Sequence, residues 1–293
     1  QQLSCLYTLS NRGSRNYRRV TIDKKDGGSR TLLVPCGLLK GVQRNILHHV
    51  LDERPVSPCA RAYRKGTDIR GNASCHLGKK LVLKLDISHF FDSILFPRVY
   101  GAAFPEILFP PAAAMLLTSL CCCNERLPQG SPASPAISNL VMRPFDIYMD
   151  GWCRERGIAY TRYCDDMTFS GDFDAAALCS KVRSYLEAMG FTLNEKKTKL
   201  LTGDVRQSVT GIVVNDKLQV SREYRKKLRQ EVYYCKKYGI DAHLERVEAD
   251  TGIRWEKERY ICSVQGRLHF VLQVNPQDDE FAGYCREWKE LFM

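Results

Sequence analysis

Tyr160-Thr-Arg-Tyr-Cys-Asp-Asp-Met-Thr-Phe-Ser-Gly171 decides how the rest of this chain is read. Tyr160, Tyr163, Met167 and Phe169 flank the adjacent carboxylates Asp165 and Asp166, so the stretch reads as two strands with the aspartates at their turn. Two neighbouring negative charges repel unless a cation lies between them. Magnesium is the usual cation, because it binds through a few carboxylates together with substrate phosphates. An Asp-rich hairpin tip is equally compatible with a plain polar turn. The choice rests on whether a third carboxylate, a nucleotide grip and a surface for a polyanion occur elsewhere.

Leu81-Val-Leu-Lys-Leu-Asp86-Ile-Ser-His-Phe-Phe91-Asp92 supplies the third carboxylate. Its apolar run reads as a buried strand ending at Asp86, where a carboxylate is costly unless paired or metal-bound. Asp92 is an alternative ligand, but it falls beyond the strand, where helix capping accounts for it. Upstream, Arg19-Val-Thr-Ile and Arg30-Thr-Leu-Leu-Val flank Asp26-Gly27-Gly28, a hairpin signal. Lys24, Lys25 and Arg30 around its tip read either as solvated charges or as a basic finger for phosphates. A helix is expected over 38–51 with Leu39, Val42, Ile46 and Leu47 inward, followed by a basic, loop-like stretch over 61–80.

Between Asp86 and the aspartate pair, a helix over 112–123 leads into Leu127-Pro-Gln-Gly-Ser-Pro-Ala-Ser-Pro135. Glycine and small residues there let a flat ligand approach the backbone closely. A further helix follows through Tyr148. Beyond the pair come a helix over 174–189 stopped by Gly190, a strand and basic turn over 191–199, and a strand over 208–214. From Ser221 the character changes. Arg222 to Lys237 is a basic helix interleaved with Tyr224, Tyr233 and Tyr234, a pattern suited to a nucleic-acid backbone. A last helix over 253–274 has Trp255, Tyr260, Ile261, Val264, Leu268 and Val271 as core candidates.

The 293 residues suffice for one or two domains with a substantial core, and the net charge of +11 points to a polyanionic partner, nucleic acid or an anionic membrane surface. No apolar run of membrane-spanning length and no signal peptide is evident. The 13 cysteines lack paired zinc spacing and read as reduced thiols of a cytoplasmic protein, most of them small core residues.

Taken in order, these pieces resemble the fingers and palm of reverse transcriptases over nearly the whole chain. Tyr163-Cys164-Asp165-Asp166 matches the family's Tyr-x-Asp-Asp box, Leu85 to Phe91 its first aspartate motif, and Leu127 to Pro135 its nucleotide-pocket motif. The resemblance implies an α+β right-hand polymerase. Fingers would span 1–80, a palm with an antiparallel sheet 81–216 with a helical fingers insertion near 105–130, and a mostly helical RNA-binding thumb 217–293. It implies Asp86, Asp165 and Asp166 as ligands of two Mg²⁺ ions that stabilise the attacking and leaving oxygens. It assigns Arg30, and less surely Lys24 or Lys25, to the triphosphate. Phe91 becomes a gate that excludes a ribose 2′-hydroxyl by clash. Gln129 and Gly130 line the pocket, and Lys197 is a proton donor to pyrophosphate.

Within the family the chain looks like the bacterial retron branch. Asn72-Ala-Ser-Cys-His76 fits its Asn-Ala-x-x-His element and Val209-Thr210-Gly211 its Val-Thr-Gly element. Cys164 departs from the Ala usual there and places a potentially oxidisable thiol beside the metals. Asn72, His76, Val209, Thr210, Gly211, Arg222, Arg225 and Lys226 are the expected RNA contacts. Implied partners are dNTPs, a cognate structured non-coding RNA with its branched DNA product, and a separate effector protein in anti-phage defence, with no membrane. Alternatives are another bacterial defence-type or intron-like reverse transcriptase, or a catalytically silent RNA-binding protein.

Overall fold

A computed structural model describes residues 2–11, 13–23 and 27–292; Lys24 and Lys25 lie outside the described residues. The chain compacts into two units, 1–68 with 81–200 and 69–80 with 201–293. These limits do not coincide with the boundaries expected at 80/81 and 216/217. The segment 69–80 groups with the C-terminal unit because its short helix, Ile69–Ser74, packs on the Val-Thr-Gly turn.

In the first unit, β1 (Tyr17–Asp23) and β2 (Ser29–Pro35) form the expected antiparallel hairpin, with Tyr17 opposite Pro35 and Asp23 opposite Ser29. Four further strands are β3 (Leu81–Asp86), β4 (Ala159–Tyr163), β5 (Asp166–Gly171) and β6 (Lys199–Thr202), in the order β4-β5-β3-β6, the chain leaving this unit within β6 after Leu200. Val82, Leu83, Leu85, Met167 and Phe169 are all at most 1% exposed, so β3 and β5 are covered on both faces. Each such side chain contributes about 1.5–3 kcal/mol. The covering residues include Ile137, Val141, Phe145 and Met149 of the helix Ser134–Arg154, and Leu178, Val182 and Leu186 of the helix Ala175–Ala188. The second helix is capped by Asp174, whose Oδ1 accepts from the amides of Ala176 and Ala177.

Several local expectations are revised. The helix expected over 38–51 is α-helical for Gly37–Ile46 and closes with a π turn, Leu47–Leu51. Its buried face carries Gln43 beside Leu39 and Ile46, with Val42 and Leu47 half-buried against the same core. Gln43 is fully enclosed because its amide is satisfied: Nε2 donates to Tyr17 Oη (2.7 Å) and the Leu120 carbonyl (2.8 Å), and Oε1 accepts from Ser131 Oγ (2.8 Å). Asp92 caps no helix; it is an exposed residue of the 3₁₀ turn Phe91–Ser93. Residues 191–193 join the sheet only through an isolated bridge, Leu193 to Ile87.

The second unit is mostly helical: Arg222–Tyr238, Ile240–Thr251, Lys257–Val274 and Asp279–Phe292 pack around Val264, Leu268, Val271, Phe281 and Trp288. The expected helix over 253–274 starts later, so Trp255 is exposed and Ile261 only half-buried. The single strand expected over 208–214 is instead a tight hairpin, β7 (Ser208–Val209) against β8 (Ile212–Val213). Thr210 and Gly211, with φ of +47° and +85°, make its turn, both left-handed as a two-residue hairpin prefers. Among the described residues, no helix is long and apolar enough to cross a membrane. Cys59, Cys121, Cys122, Cys123, Cys153, Cys164 and Cys235 are buried, as expected of core thiols.

Candidate active site

The register of β3 against β5 sets Asp86 directly opposite Asp166, and that of β4 against β5 sets Tyr163 opposite Asp166. Cys164 and Asp165 therefore form a two-residue turn; of the acidic pair expected there, Asp165 lies in the turn and Asp166 is the first residue of β5. Cys164 takes a φ of +63° there, a conformation usually left to glycine. The main chain of Ile87 donates to the Asp165 carbonyl (3.3 Å), which ties the turn to the end of β3.

Asp86 is 5% exposed. Its Oδ1 accepts from Asn194 Nδ2 (3.1 Å) and its Oδ2 from Lys197 Nζ (2.9 Å). The amide of Asn194 also donates to the Asp86 carbonyl (2.8 Å). The hydrogen bond from Lys197 Nζ to the Asp86 carboxylate raises the affinity of Lys197 for its proton, so its ammonium is charged at neutral pH. The carboxyls of Asp165 and Asp166 are pushed above the usual carboxylate range. Loss of water is the first cause for both; the second acid-raising influence is Asp86 at Asp165, and Asp165 followed by Asp86 at Asp166.

The all-oxygen donor set of these carboxylates suits magnesium rather than a softer metal. Asp86 is here ion-paired with Lys197 and hydrogen-bonded by Asn194, and among the described residues no three His, Cys, Asp or Glu side chains are gathered into a ready-made metal cage.

A cavity of about 360 Å³ opens in front of these groups, lined by Asp86, Asp165, Asn194, Lys197, Phe91, Gln129, Arg30, Ser29, Thr31 and His89, among others. Six expected residues, Asp86, Asp165, Phe91, Gln129, Lys197 and exposed Arg30, thus meet at one opening. Gly130 lines a neighbouring recess with Phe91, Gln129 and Lys40. It sits at φ +126°, and a Cβ there would lie 2.8 Å from the Leu33 carbonyl oxygen. The Leu33 amide in turn donates to the Gln129 carbonyl (2.7 Å), so the loop is pressed onto β2 at the one residue type that permits it.

Asn194 was not singled out in the sequence, since a lone Asn before Glu-Lys-Lys carries no distinctive spacing. The oxidation sensitivity expected of Cys164 is also revised. The side chain is 7% exposed, and burial pushes its thiol up to about 12, which keeps it protonated and unreactive.

The two retron-type elements come together in the second unit. Asn72 Nδ2 reaches Thr210 Oγ1 (3.5 Å), Thr210 Oγ1 donates to the Ile69 carbonyl (3.4 Å), and the Gly78 amide donates to the Val214 carbonyl (2.9 Å). Asn72, His76 and Val209, expected to touch RNA, are 1%, 0% and 0% exposed; they support a surface and do not form it. Arg225 is mostly enclosed by ion pairs with Asp278 and Glu280. Gly211, Arg222 and Lys226 are exposed and Thr210 partly so.

The family model described as reverse transcriptase (RNA-dependent DNA polymerase) matches residues 22–228. The chain is 35% identical over 288 residues to the retron Mx65 reverse transcriptase of Myxococcus xanthus, covering 91% of this chain and 63% of that enzyme. It therefore spans less than two thirds of that relative's length. It is 32% identical over 262 residues to the retron Ec86 reverse transcriptase of Escherichia coli, covering 86% of this chain and 78% of that enzyme. Among solved structures, telomerase from Candida albicans in complex with a TWJ fragment of telomeric RNA superimposes with a TM-score of 0.54 at 11% identity, covering 94% of this chain and 63% of that one. That likeness is one of fold, and the fold is the right-hand polymerase expected from the sequence.

Proposed function

The chain belongs to the retron branch of the reverse transcriptases, and from that premise we propose that it is an RNA-directed DNA polymerase. It copies a structured non-coding RNA, starting from an internal RNA 2′-hydroxyl, and leaves a branched RNA–DNA product. The supporting observation is the meeting of Asp86, Asp165, Lys197, Phe91 and Gln129 at one cavity, with Asp166 directly across the ladder from Asp86.

Asp86, Asp165 and Asp166 are the residues that would hold magnesium, two ions in all. When bound, the metal supplies Lewis-acid polarisation of the primer hydroxyl and of the triphosphate. The chain's own groups do the rest. Exposed Arg30 on β2 grips the triphosphate oxygens. Gln129 and Gly130 let the base and sugar lie close to the main chain, and Phe91 closes the pocket against a 2′-hydroxyl. Lys197 keeps a proton on Nζ beside Asp86 and delivers it to the departing pyrophosphate oxygen. Lys24 joins Arg30 in gripping the triphosphate. The product, its use in anti-phage defence with a separate effector chain, and a bacterial cytoplasmic setting follow the retron reading.

The test is to sequence the nucleic acid that co-purifies with the protein, with and without debranching treatment, alongside dNTP incorporation by Asp165→Asn. The expected result is a small RNA joined 2′–5′ to DNA, and incorporation reduced by about 10²–10³-fold or more, with RNA still bound. Unbranched DNA alone would move the chain to another reverse-transcriptase function. Full activity in the variant would remove Asp165 from the site.

A further inference from the structure

Behind the reactive face, the catalytic hairpin is held by a polar cluster shut away from water. Arg162 and Asp146 are both 0% exposed. Arg162 Nε donates to Asp146 Oδ1 (2.8 Å) and Nη2 to Oδ2 (2.6 Å), a two-pronged pair between β4 and the helix Ser134–Arg154. Tyr160 Oη donates to the same Oδ1 (2.8 Å). The remaining prong, Nη1, donates to the Cys164 carbonyl (2.9 Å) and to Asn139 Oδ1 (3.2 Å). Asn139 Nδ2 donates onward to the Ala62 carbonyl (2.9 Å). The main chain of Arg162 is bound as well, its amide to the Cys59 carbonyl and its carbonyl to the Arg61 amide, both at 2.8 Å. One residue thus ties together the hairpin, the helix and the segment 59–62.

Magnitudes say what this cluster is for. Burying an ion pair costs several kcal/mol per charge, and well-packed apolar replacements are often neutral or stabilising. Stability alone therefore gives little reason for Arg162. What an apolar side chain cannot do is hold the Cys164 carbonyl. That carbonyl belongs to the peptide linking Cys164 to Asp165, and Cys164 sits at φ +63°, a conformation costing about 1–3 kcal/mol that persists only when its surroundings over-determine it.

We propose that Arg162 is the positioning residue of the catalytic turn: its guanidinium, oriented by Asp146 and Asn139, fixes the Cys164–Asp165 peptide and through it the direction of the Asp165 carboxylate. The inference rests on the polymerase reading and deepens it. Arg162 touches no substrate, so its loss acts on turnover and leaves dNTP binding in place.

The experiment measures steady-state dNTP incorporation on an RNA template, with thermal melting, for the wild type, Arg162→Lys, and the combined variant Arg162→Met, Asp146→Leu, Tyr160→Phe. The combined variant removes the buried charges together and is expected to melt with the wild type. Its kcat is expected to fall about 10²-fold, the cost of a misplacement near 1 Å, with KM for dNTP held within about twofold. Lysine keeps the charge but has no fork to span Asp146 and the Cys164 carbonyl, so Arg162→Lys is expected to lose kcat in the same way. A combined variant that is folded and keeps wild-type kcat overturns the proposal. Should it not fold, wild-type kcat in Arg162→Lys overturns it equally. Absence of incorporation by the wild type is a separate outcome, which removes the polymerase reading and this inference with it.

Discussion

Phe91 illustrates how a single side chain acquires a role from its position. Its neighbour Phe90 is 3% exposed and packs on Phe191 in the core, whereas Phe91 is half-buried; both line the cavity with Asp86 and Gln129, and Phe91 offers it the more accessible face. The two rings meet edge to face with centroids 5.4 Å apart, Phe91 being the more open of the pair. Phe91→Ala removes the wall against a ribose 2′-hydroxyl and takes with it only a half-buried contact at the edge of the core. The ratio of kcat/KM for dNTP over rNTP is expected to drop by roughly 10–200-fold, the range that steric discrimination by a few atoms provides. An unchanged ratio would assign Phe91 to packing alone.

At the scale of elements, the loop 127–135 and β2 form one device, because Gly130 admits the Leu33 carbonyl where a side chain would stand. Gly130→Ala forces the loop off β2 or Leu33 out of its bond to Gln129, and the residue would also be strained at φ +126°. A loss of about 1–3 kcal/mol in stability is expected, together with a raised KM for dNTP; a normal KM would detach the loop from the nucleotide. The helix Ile240–Thr251 offers an element-scale test in the second unit. His243 Nε2 meets Tyr260 Oη at 2.8 Å, and burial holds its pKa below the ordinary 6.5. The unfolded chain therefore binds the extra proton first. The stability associated with His243 is full above about pH 6.5 and declines as pH falls below it. Thermal melts of His243→Gln between about pH 7 and pH 5 are expected to lose part of that slope. The elements carrying these tests differ in how far sequence alone defines them. Strand-and-turn periodicity locates Asp86 and Asp165–Asp166 because apolar alternation brackets them. The Val-Thr-Gly turn escapes such a reading, since two-residue strands are too short to show a period. Arg162 and Gln43 escape because nothing local distinguishes a buried polar side chain whose partners lie far away in sequence.

For the whole molecule, the excess of 44 basic over 33 acidic residues, +11, is distributed unevenly in what it can offer a polyanion. Arg225 and Arg229 are committed to Asp278 and Glu280, and Arg206 pairs with Glu223, so these cations are partly neutralised before any partner arrives. On the same helix Arg222, Lys226, Lys227 and Lys237 face solvent, and Lys237 lies 5.4 and 5.1 Å from the rings of exposed Tyr233 and Tyr238. Charge beside accessible aromatic faces suits a phosphate backbone with unstacked bases nearby. If these four cations each neutralise one duplex phosphate, binding weakens with salt at a slope of about −3.6 in log K against log salt, or about 10²-fold between roughly 50 and 200 mM. Replacing Lys226 and Lys227 together by Ala is then expected to reduce the slope by about 1.8, with little effect on dNTP incorporation on a saturating template. A slope indifferent to that double replacement would move the RNA-binding surface off this helix, because a cation that releases no counterion contacts no phosphate.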